Sequence, residues 1–146
     1  MPTVTRARTI PAGGDEVWAL ISDPSHLPRW WPDCVRVEDA SDEAWTQVLG
    51  TGSGKTLRAD FTRVEAEPGR HLVWRQELEE SPFERILSEA VTEVNLEPAS
   101  DGTRVSLRTR QRPRGLARLG GFMFRRAARR KLDEALDGLE RAVGEP

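Results

Sequence analysis

"GTGSGKTLRADFT", residues 50–62, separates two fold classes. Its first seven letters resemble a nucleotide-binding loop, but the G-x-x-x-x-G-K-[ST] motif requires a glycine at position 49, where this chain has Leu49. A phosphate-binding loop also continues into a helix whose N-terminal amides hold the anion. Here Leu57, Ala59 and Phe61 alternate with polar residues, which is the period of a β-strand. The stretch therefore predicts a hairpin turn and a strand rather than a site for ATP or GTP.

The segments on both sides of this hairpin also have the pattern of strands. After a first strand at residues 3–10, alternating segments follow at 34–40, 44–50, 55–66, 71–78, 86–97 and 103–112. Short clusters of turn-forming residues separate the later segments, and they leave no room for helical crossovers. The sequence therefore predicts an α+β fold with one antiparallel sheet of six or seven strands.

Three helices complete the predicted fold. Two short helices, at 15–22 and 25–31, follow the first strand, and the second is expected to end at Pro32. A long helix is expected from about Arg118 to Val143. Its apolar residues share one face at 100° per residue: Phe124, Ala128, Leu132, Ala135, Leu136, Leu139 and Val143. This face must be buried, and the sheet is the only large partner available.

Composition limits the classes of protein to which the chain can belong. Of its 146 residues, 37% are hydrophobic and 32% are charged, a balance typical of a folded globular domain. No apolar run approaches the roughly 20 residues that cross a bilayer, and residues 1–14 lack the apolar core of a secretion signal. Cys34 is the only cysteine, so no internal disulfide can form. We therefore expect a cytoplasmic protein with a single domain at residues 1–146.

The sequence contains no recognisable metal-binding or catalytic motif. His26 and His71 have no histidine or cysteine at the spacing of metal ligands, and no G-x-S-x-G motif is present. Cys34 has the surroundings of a small buried hydrophobic residue rather than of a nucleophile. We expect no metal and no cofactor, and we assign no catalytic residue.

Basic residues are concentrated near the C-terminus, although the formal net charge is only -2. Eleven basic residues and no acidic one lie within 104–132. Three interpretations are open: a solvated face that pairs with the acidic segment 75–93, peripheral contact of 115–124 with an anionic membrane, and nucleic-acid binding. The solvated face is favoured because arginines alternate along the last strand, and we expect no nucleic-acid partner.

Several aromatic and polar residues are candidates for a binding site. Trp30 and Trp31 are adjacent on a short helix and cannot both face the same way, so at least one is expected at the wall or rim of a pocket. Gln76 shares a strand face with Leu72 and Trp74, where it is either exposed at an edge or a polar group of a pocket.

Arg125 lies close to the centre of the apolar stripe of the final helix. An unpaired buried guanidinium is very costly, so this side chain must reach water, pair with an acid or meet an anionic ligand. A later start of the helix, or an extended side chain that reaches water, is the favoured interpretation. Contact with a ligand carboxylate at a cavity mouth is the alternative.

Three segments carry the pattern of a known family. They are Ile10-Pro11-Ala12 with Val17-Trp18 and Asp23-Pro24, then Leu27 with Trp30-Trp31-Pro32, and finally Asp101–Leu107 leading into the arginine-rich helix. In this order the segments resemble the START-like helix-grip superfamily, and within it the polyketide cyclase/dehydrase and lipid-transport group. The resemblance implies a curved sheet that grips the C-terminal helix, with a cavity between them for a lipid, a polyketide or another hydrophobic molecule.

The resemblance and the residue patterns together predict one site. The residues expected to contact the ligand are Trp30, Trp31, Phe61, Leu72, Trp74, Gln76, Phe124, Arg125, Ala128 and Leu132. We expect binding without catalysis. A polyketide cyclase or dehydratase, with Arg125 or Arg75 polarising a ketone, and a membrane- or partner-associated protein are the alternatives. Enzymatic members of the family are thought to use tyrosine as well as arginine, and this chain has no tyrosine. The ligand and the oligomeric state are left unassigned.

Overall fold

The computed structural model describes residues 3–144, apart from the side chain of Leu116. Within this range the strands are β1 (Thr3–Ile10), β2 (Cys34–Glu38), β3 (Ala44–Gly50), β4 (Thr56–Glu67), β5 (His71–Glu77), β6 (Leu87–Ala99) and β7 (Gly102–Pro113). The α-helices are α1 (Gly14–Ile21), α2 (Leu27–Trp30) and α3 (Gly121–Val143), and 3₁₀ helices occupy Pro24–His26 and Gly115–Gly120. No helix among the described residues is both long and apolar enough to span a membrane.

The seven strands form one antiparallel sheet in the order β1-β7-β6-β5-β4-β3-β2. Strands that follow one another in the chain from β2 to β7 are therefore paired with each other, while β1 pairs with β7. The stretch at residues 50–56 is the β3–β4 hairpin, in which Gly50 pairs with Thr56. Gly52 and Gly54 have φ angles of 82° and 83°, a region that glycine enters without steric cost. The prediction of a hairpin in place of a nucleotide-binding loop is confirmed.

The sheet curves around α3, and the predicted helix-grip arrangement is confirmed. Register shifts between Cys34 and Arg36 and between Arg63 and Glu65 mark irregularities of the kind that bend strands. The apolar stripe of α3 faces the concave side, and the buried residues of this helix all lie between Ala128 and Ala142.

Helix α2 packs directly against α3 at one end of the sheet. The backbones meet at Gly138, where a Cβ atom would collide with the carbonyl oxygen of Trp30. Only glycine permits this approach, which holds the tryptophan pair of the α2 segment over the sheet. The contact therefore links the long helix to one wall of the cavity described below.

The final helix begins later than predicted. Residues Gly115–Gly120 form a 3₁₀ helix, and the α-helix starts only at Gly121. Gly120, with φ -99° and ψ 28°, lies outside the α-helical region and separates the two. The predicted start near Arg118 was therefore three residues too early.

Candidate functional site

A cavity of about 140 Å³ lies between the concave face of the sheet and the middle of α3. Its wall combines aromatic, aliphatic, amide and hydroxyl side chains with one amine: Trp31, Gln47, Leu49, Phe61, Trp74, Gln76, Phe83, Leu87, Ala90, Thr92, Thr109, Gln111, Ala128, Lys131 and Leu132. An engineered cavity of roughly 150 Å³ in another protein binds benzene, and pockets for drug-sized ligands measure roughly 300–1,000 Å³. The cavity therefore matches a single ring.

Aromatic rings form one side of the cavity. The centroids of Trp31 and Trp74 are 5.6 Å apart with their planes at 75°, an edge-to-face arrangement. Trp45 stacks on Phe61 at 6.0 Å and also lies 6.1 Å from Trp74. These contacts hold the rings in fixed orientations, so Trp31, Phe61 and Trp74 present rigid flat surfaces to the cavity.

The strand register concentrates polar side chains at the cavity end of the sheet. Thr92 lies opposite Thr109 on β6 and β7, and Gln111 lies opposite Ala90. Further along the same inward-facing rows the residues are apolar, as at Val94 and Leu107. The concave face thus changes from an apolar core to a partly polar wall between neighbouring inward-facing positions of β6 and β7.

Gln47 and Gln76 are the amides of this wall that have buried polar atoms without a hydrogen-bond partner among the described residues. Gln47 on β3 is fully buried, and neither its Oε1 nor its Nε2 has a hydrogen-bond partner among the described residues. The Nε2 of Gln76 on β5 is buried and unpartnered in the same way. Leaving a buried polar group unpaired costs roughly 1–3 kcal/mol, so such groups usually serve a ligand or ordered water.

Lys131 brings the positive charge to the cavity. Its Nζ lies 5.8 Å from the centroid of Trp31, within the range of a cation–π contact. Burial lowers the pKa of Lys131, while the neighbouring Asp33, Cys34 and Glu134 act in the opposite direction. The lowered pKa shows that burial outweighs these neighbours, so the ammonium is not fully compensated by the protein.

Cys34 lies beside this lysine but does not line the cavity. Burial raises the pKa of its thiol to about 11, and the Sγ atom donates a weak hydrogen bond to the carbonyl oxygen of Arg36 at 3.6 Å. The thiol is therefore protonated at neutral pH, as the sequence pattern indicated for a buried hydrophobic residue. Among the described residues, no three histidine, cysteine or acidic side chains cluster in a way that could hold a metal ion.

Six of the ten residues predicted to contact a ligand line the cavity together. They are Trp31, Phe61, Trp74, Gln76, Ala128 and Leu132. The structure also decides between the two interpretations of Gln76, which belongs to a pocket wall and not to an exposed edge. Ligand contact by these residues remains a prediction.

The other four predicted residues do not line the cavity. Trp30 is buried in the core, with its ring centroid 5.4 Å from that of Trp31 and 6.4 Å from that of Trp74, and it does not reach the cavity wall. Leu72 is buried deeper in the core, one inward-facing position before Trp74. Phe124 instead packs on a small cluster formed by Leu78, Leu87 and Ala90.

Arg125 is exposed and does not line the cavity, in agreement with the favoured interpretation of a later helix start and a side chain that reaches water. The side chain lines a surface groove together with Arg112, Arg114 and Arg118. The periodicity placed Arg125 on the correct face of α3, but that face is buried only from Ala128 onwards. One turn before Ala128 the same face is exposed to solvent. Arg75, the other arginine considered for ketone polarisation, is exposed and lies 3.3 Å from Glu77.

Gln47 and Lys131 were missed, although both leave a trace in the sequence. Gln47 stands between Trp45 and Leu49 on a strand with period 2, so it shares their face just as Gln76 shares that of Trp74. Lys131 lies three residues after Ala128 and four before Ala135, within the apolar stripe. It is also one of only two lysines in a chain that otherwise uses arginine.

Known structures share this architecture at low sequence identity. A START superfamily protein from Mycobacterium smegmatis is 12% identical with a TM-score of 0.79, and the match covers 97% of each chain. An aromatase/cyclase, Zhui, from a Streptomyces species is 17% identical with a TM-score of 0.78, covering 97% of this chain and 93% of that one. The di-domain ARO/CYC protein BexL is 24% identical with a TM-score of 0.79, and the match covers 99% of this chain and 47% of BexL.

These similarities establish the fold, and a sequence comparison establishes the family. No curated protein is significantly similar to the chain. The sequence model of the family described as polyketide cyclase / dehydrase and lipid transport, however, matches residues 1–144. The chain therefore belongs to the polyketide cyclase/dehydrase and lipid transport family.

Proposed function

We propose that this protein binds a hydrophobic small molecule in the cavity between the sheet and α3. The observation that carries the proposal is the cavity itself, about 140 Å³ in volume and walled by the rings of Trp31, Phe61 and Trp74. Apolar walls with a few convergent polar groups are typical of small-molecule sites. The volume favours the ring of a polyketide-like compound over a complete long-chain lipid.

Binding without turnover is the better supported form of this function. General acid–base chemistry needs a positioned donor and acceptor near the reacting atoms. Among the described residues that line the cavity, Lys131 is the one ionisable side chain. Arg75 and Arg125, which would polarise a ketone in a cyclase, are exposed elsewhere. The enzyme alternative therefore has no acid–base pair to support it here.

The first test is native mass spectrometry of the protein purified from its own host, followed by denaturing extraction and identification of small molecules. We expect one hydrophobic molecule per chain, carrying at least one ring. Protein that carries no molecule and also fails to bind a panel of lipids and ring compounds would contradict the proposal.

A matched pair of variants assigns the bound molecule to this cavity. Ala128 lines the cavity, whereas Ala127 is exposed on the same helix. Ala128→Phe fills the cavity and is expected to remove the molecule, and Ala127→Phe adds the same side chain to the surface and should retain it. Equal retention by both variants would place the ligand elsewhere.

A second candidate function, contact with an anionic membrane, is favoured by one surface feature. Leu119, Phe122 and Met123 have exposed fractions of 85%, 62% and 64%; Leu119 lies in the 3₁₀ helix before α3, and the other two lie in the first turn of α3. Arg118 and Arg126 flank them, and neither forms an ion pair with another described residue. Large exposed apolar side chains beside unpaired cations are typical of helices that lie at a lipid interface.

Co-sedimentation with vesicles tests this second function. We expect binding to vesicles that contain phosphatidylglycerol, weaker binding in high salt, and loss of binding in Phe122→Ser/Met123→Ser. Val64→Ser is the matched control, because Val64 is 53% exposed on β4 and does not belong to the segment that carries Arg118 and Arg126. Absence of binding at low salt would contradict the membrane function and leave the cavity proposal unaffected.

A further inference from the structure

The cation of the cavity, Lys131, is only partly exposed and yet forms no ion pair with another described residue. Several arginines, by contrast, form ion pairs. A side-chain nitrogen lies within 3.6 Å of a carboxylate oxygen in each of Arg6, Arg8, Arg36, Arg58, Arg108 and Arg110. Lys131 forms no ion pair among the described residues and faces Trp31 instead. A partly buried cation without a counter-charge is a site that an anion can complete.

The charged groups around Lys131 supply only part of that counter-charge. Asp33 and Glu134 face the lysine through space, and Cys34 is protonated at neutral pH. Asp33 and Glu134 also line a separate cleft on the outer side of α3. Among the described residues that line the cavity none is acidic, and the polar groups beside Lys131 in its wall are amides and hydroxyls.

The amides of the wall add directional hydrogen-bonding groups to this charge. Gln47 offers an unpartnered Nε2 donor and an unpartnered Oε1 acceptor, and Gln76 offers an Nε2 donor. Both line the same cavity as Lys131, together with the rings of Phe61 and Trp74. A ligand that satisfies this wall needs a flat ring, an anionic oxygen for the amine, and an oxygen that accepts from an amide.

We propose that the cavity selects a one-ring acid with two oxygens, a carboxylate or a phenolate that carries a second oxygen, whose anionic oxygen is held by Lys131 and whose other oxygen is held by Gln47 or Gln76. This inference rests on the proposed function and narrows it to a class of ligand. It assigns recognition to Lys131 and to the two amides instead of to Arg125. No covalent step is involved.

Benzoate and benzamide test the proposal, because they have nearly the same shape and differ in charge. The chain has only two lysines, so ¹³C-labelled lysine gives one ε-carbon signal from the cavity and one from Lys55 in the β3–β4 turn. We expect benzoate to bind at least about tenfold more tightly than benzamide, as for a charge pair shielded from water. Benzoate should also raise the pKa of Lys131 and leave that of Lys55 unchanged.

Lys131→Met, with Lys55→Met as the control of equal charge, completes the test. Lys131→Met should bind benzoate and benzamide with affinities within about twofold of each other, whereas Lys55→Met should keep the tenfold preference. Binding of benzamide by Lys131→Met would show that this variant is folded. The change in the pKa of Lys131, measured from the lysine signals of the wild type, tests the contact with benzoate without any variant. Equal binding of both compounds by the wild type would overturn the inference and leave the proposed function standing. Failure of the wild type to bind either compound would overturn the one-ring site itself.

Discussion

The two halves of α3 have the same amphipathic pattern but opposite surroundings. From Ala128 onwards, every residue of the apolar stripe up to Ala142 is buried against the sheet or α2, including Leu132, Leu136 and Leu139. Before Ala128 no residue of the helix is buried, and Phe122 and Met123 are largely exposed. Periodicity predicts which side of a helix is apolar, but the length of the partner surface decides how much of that side is covered.

Because of this difference, the two halves of α3 are expected to have different roles. The C-terminal half is expected to carry stability, because apolar burial contributes roughly 25 cal/mol per Å². The N-terminal half contributes little burial and is available for other contacts. Lys131 lies at the boundary between the two halves and at the cavity, so it is the position where stability and ligand binding are expected to conflict.

The largest effect should come from truncating the buried half. Leu139 is fully buried between the sheet and α2, so Leu139→Ala is expected to lower the free energy of unfolding by about 2–5 kcal/mol. Phe122→Ala, on the exposed half, should change it by less than about 0.5 kcal/mol. Urea denaturation of both variants measures the contrast. A large loss in Phe122→Ala would show that the N-terminal half is packed in solution and would remove the basis of the membrane function.

Glycine substitutions sharpen the same contrast. Alanine favours a helix over glycine by about 1 kcal/mol, so both Gly121→Ala and Gly138→Ala would stabilise an isolated helix. At Gly138 the new Cβ collides with the Trp30 carbonyl, and we expect a net loss of about 1–3 kcal/mol. At Gly121 the Cβ meets only the end of Arg125 at 3.9 Å, and stability should be unchanged or slightly raised.

Thermal denaturation of the two glycine variants, with tryptophan fluorescence as the signal, checks this prediction. The signal also reports on the site, because displacement of α2 would move Trp31 at the cavity wall. A Gly138→Ala variant as stable as Gly121→Ala would mean that α2 shifts freely against α3, and that the cavity wall is adaptable rather than fixed.

The fold was largely readable from the sequence because its signals are local. Alternation, short turns and a helical stripe fix the types of the elements, and all seven strands lie within a few residues of their predicted bounds. The start of α3 was missed because Gly120 interrupts a segment whose composition is otherwise helical. Which strand would pair with β1 could not be read from local pattern, since it depends on closure of the sheet by β7.

The site was less readable because a cavity is a product of packing. Predicted residues such as Trp74 and Ala128 were correctly placed on inward faces, yet Leu72 has the same pattern and is part of the solid core. Arg125 and Lys131 both lie on the stripe, and only the extent of the sheet makes one exposed and the other a cavity residue. Local periodicity contains no information on that extent.

Removing the charge at the boundary should stabilise the protein while impairing ligand recognition. Because burial lowers the pKa of Lys131 in the folded state, the cation costs stability at neutral pH. Lys131→Met is therefore expected to raise the free energy of unfolding by about 1 kcal/mol. This gain in the free energy of unfolding is constant below the pKa that Lys131 has in the folded state. It becomes smaller as the pH rises through that pKa towards the ordinary lysine value of 10.5.

Urea denaturation of wild type and Lys131→Met between pH 6 and pH 10 measures this pH dependence. The difference between the two curves reports on the lysine and on its smaller effect on Cys34, where Lys131 partly offsets the burial that raises the thiol pKa to about 11. Lys55→Met, which removes an exposed amine, should show no such gain. A wild type more stable than Lys131→Met at pH 7 would mean that the protein already supplies the counter-charge.

The smallest effect is expected from the solvated side of the buried half, where α3 is linked to β1. Arg8 Nη1 lies 2.6 Å from Asp137 Oδ1 and 3.6 Å from Glu140 Oε1. Exposed ion pairs contribute about 0.2–1 kcal/mol, so a double-mutant cycle with Arg8→Met and Asp137→Asn should give a coupling energy in that range, reduced by salt. Because Glu140 remains within reach of Arg8 when Asp137 is neutralised, the measured coupling should fall at the lower end. A coupling energy above about 2 kcal/mol would exceed what an exposed pair can supply, and the stability of α3 would then depend on charge pairing as well as on its buried stripe.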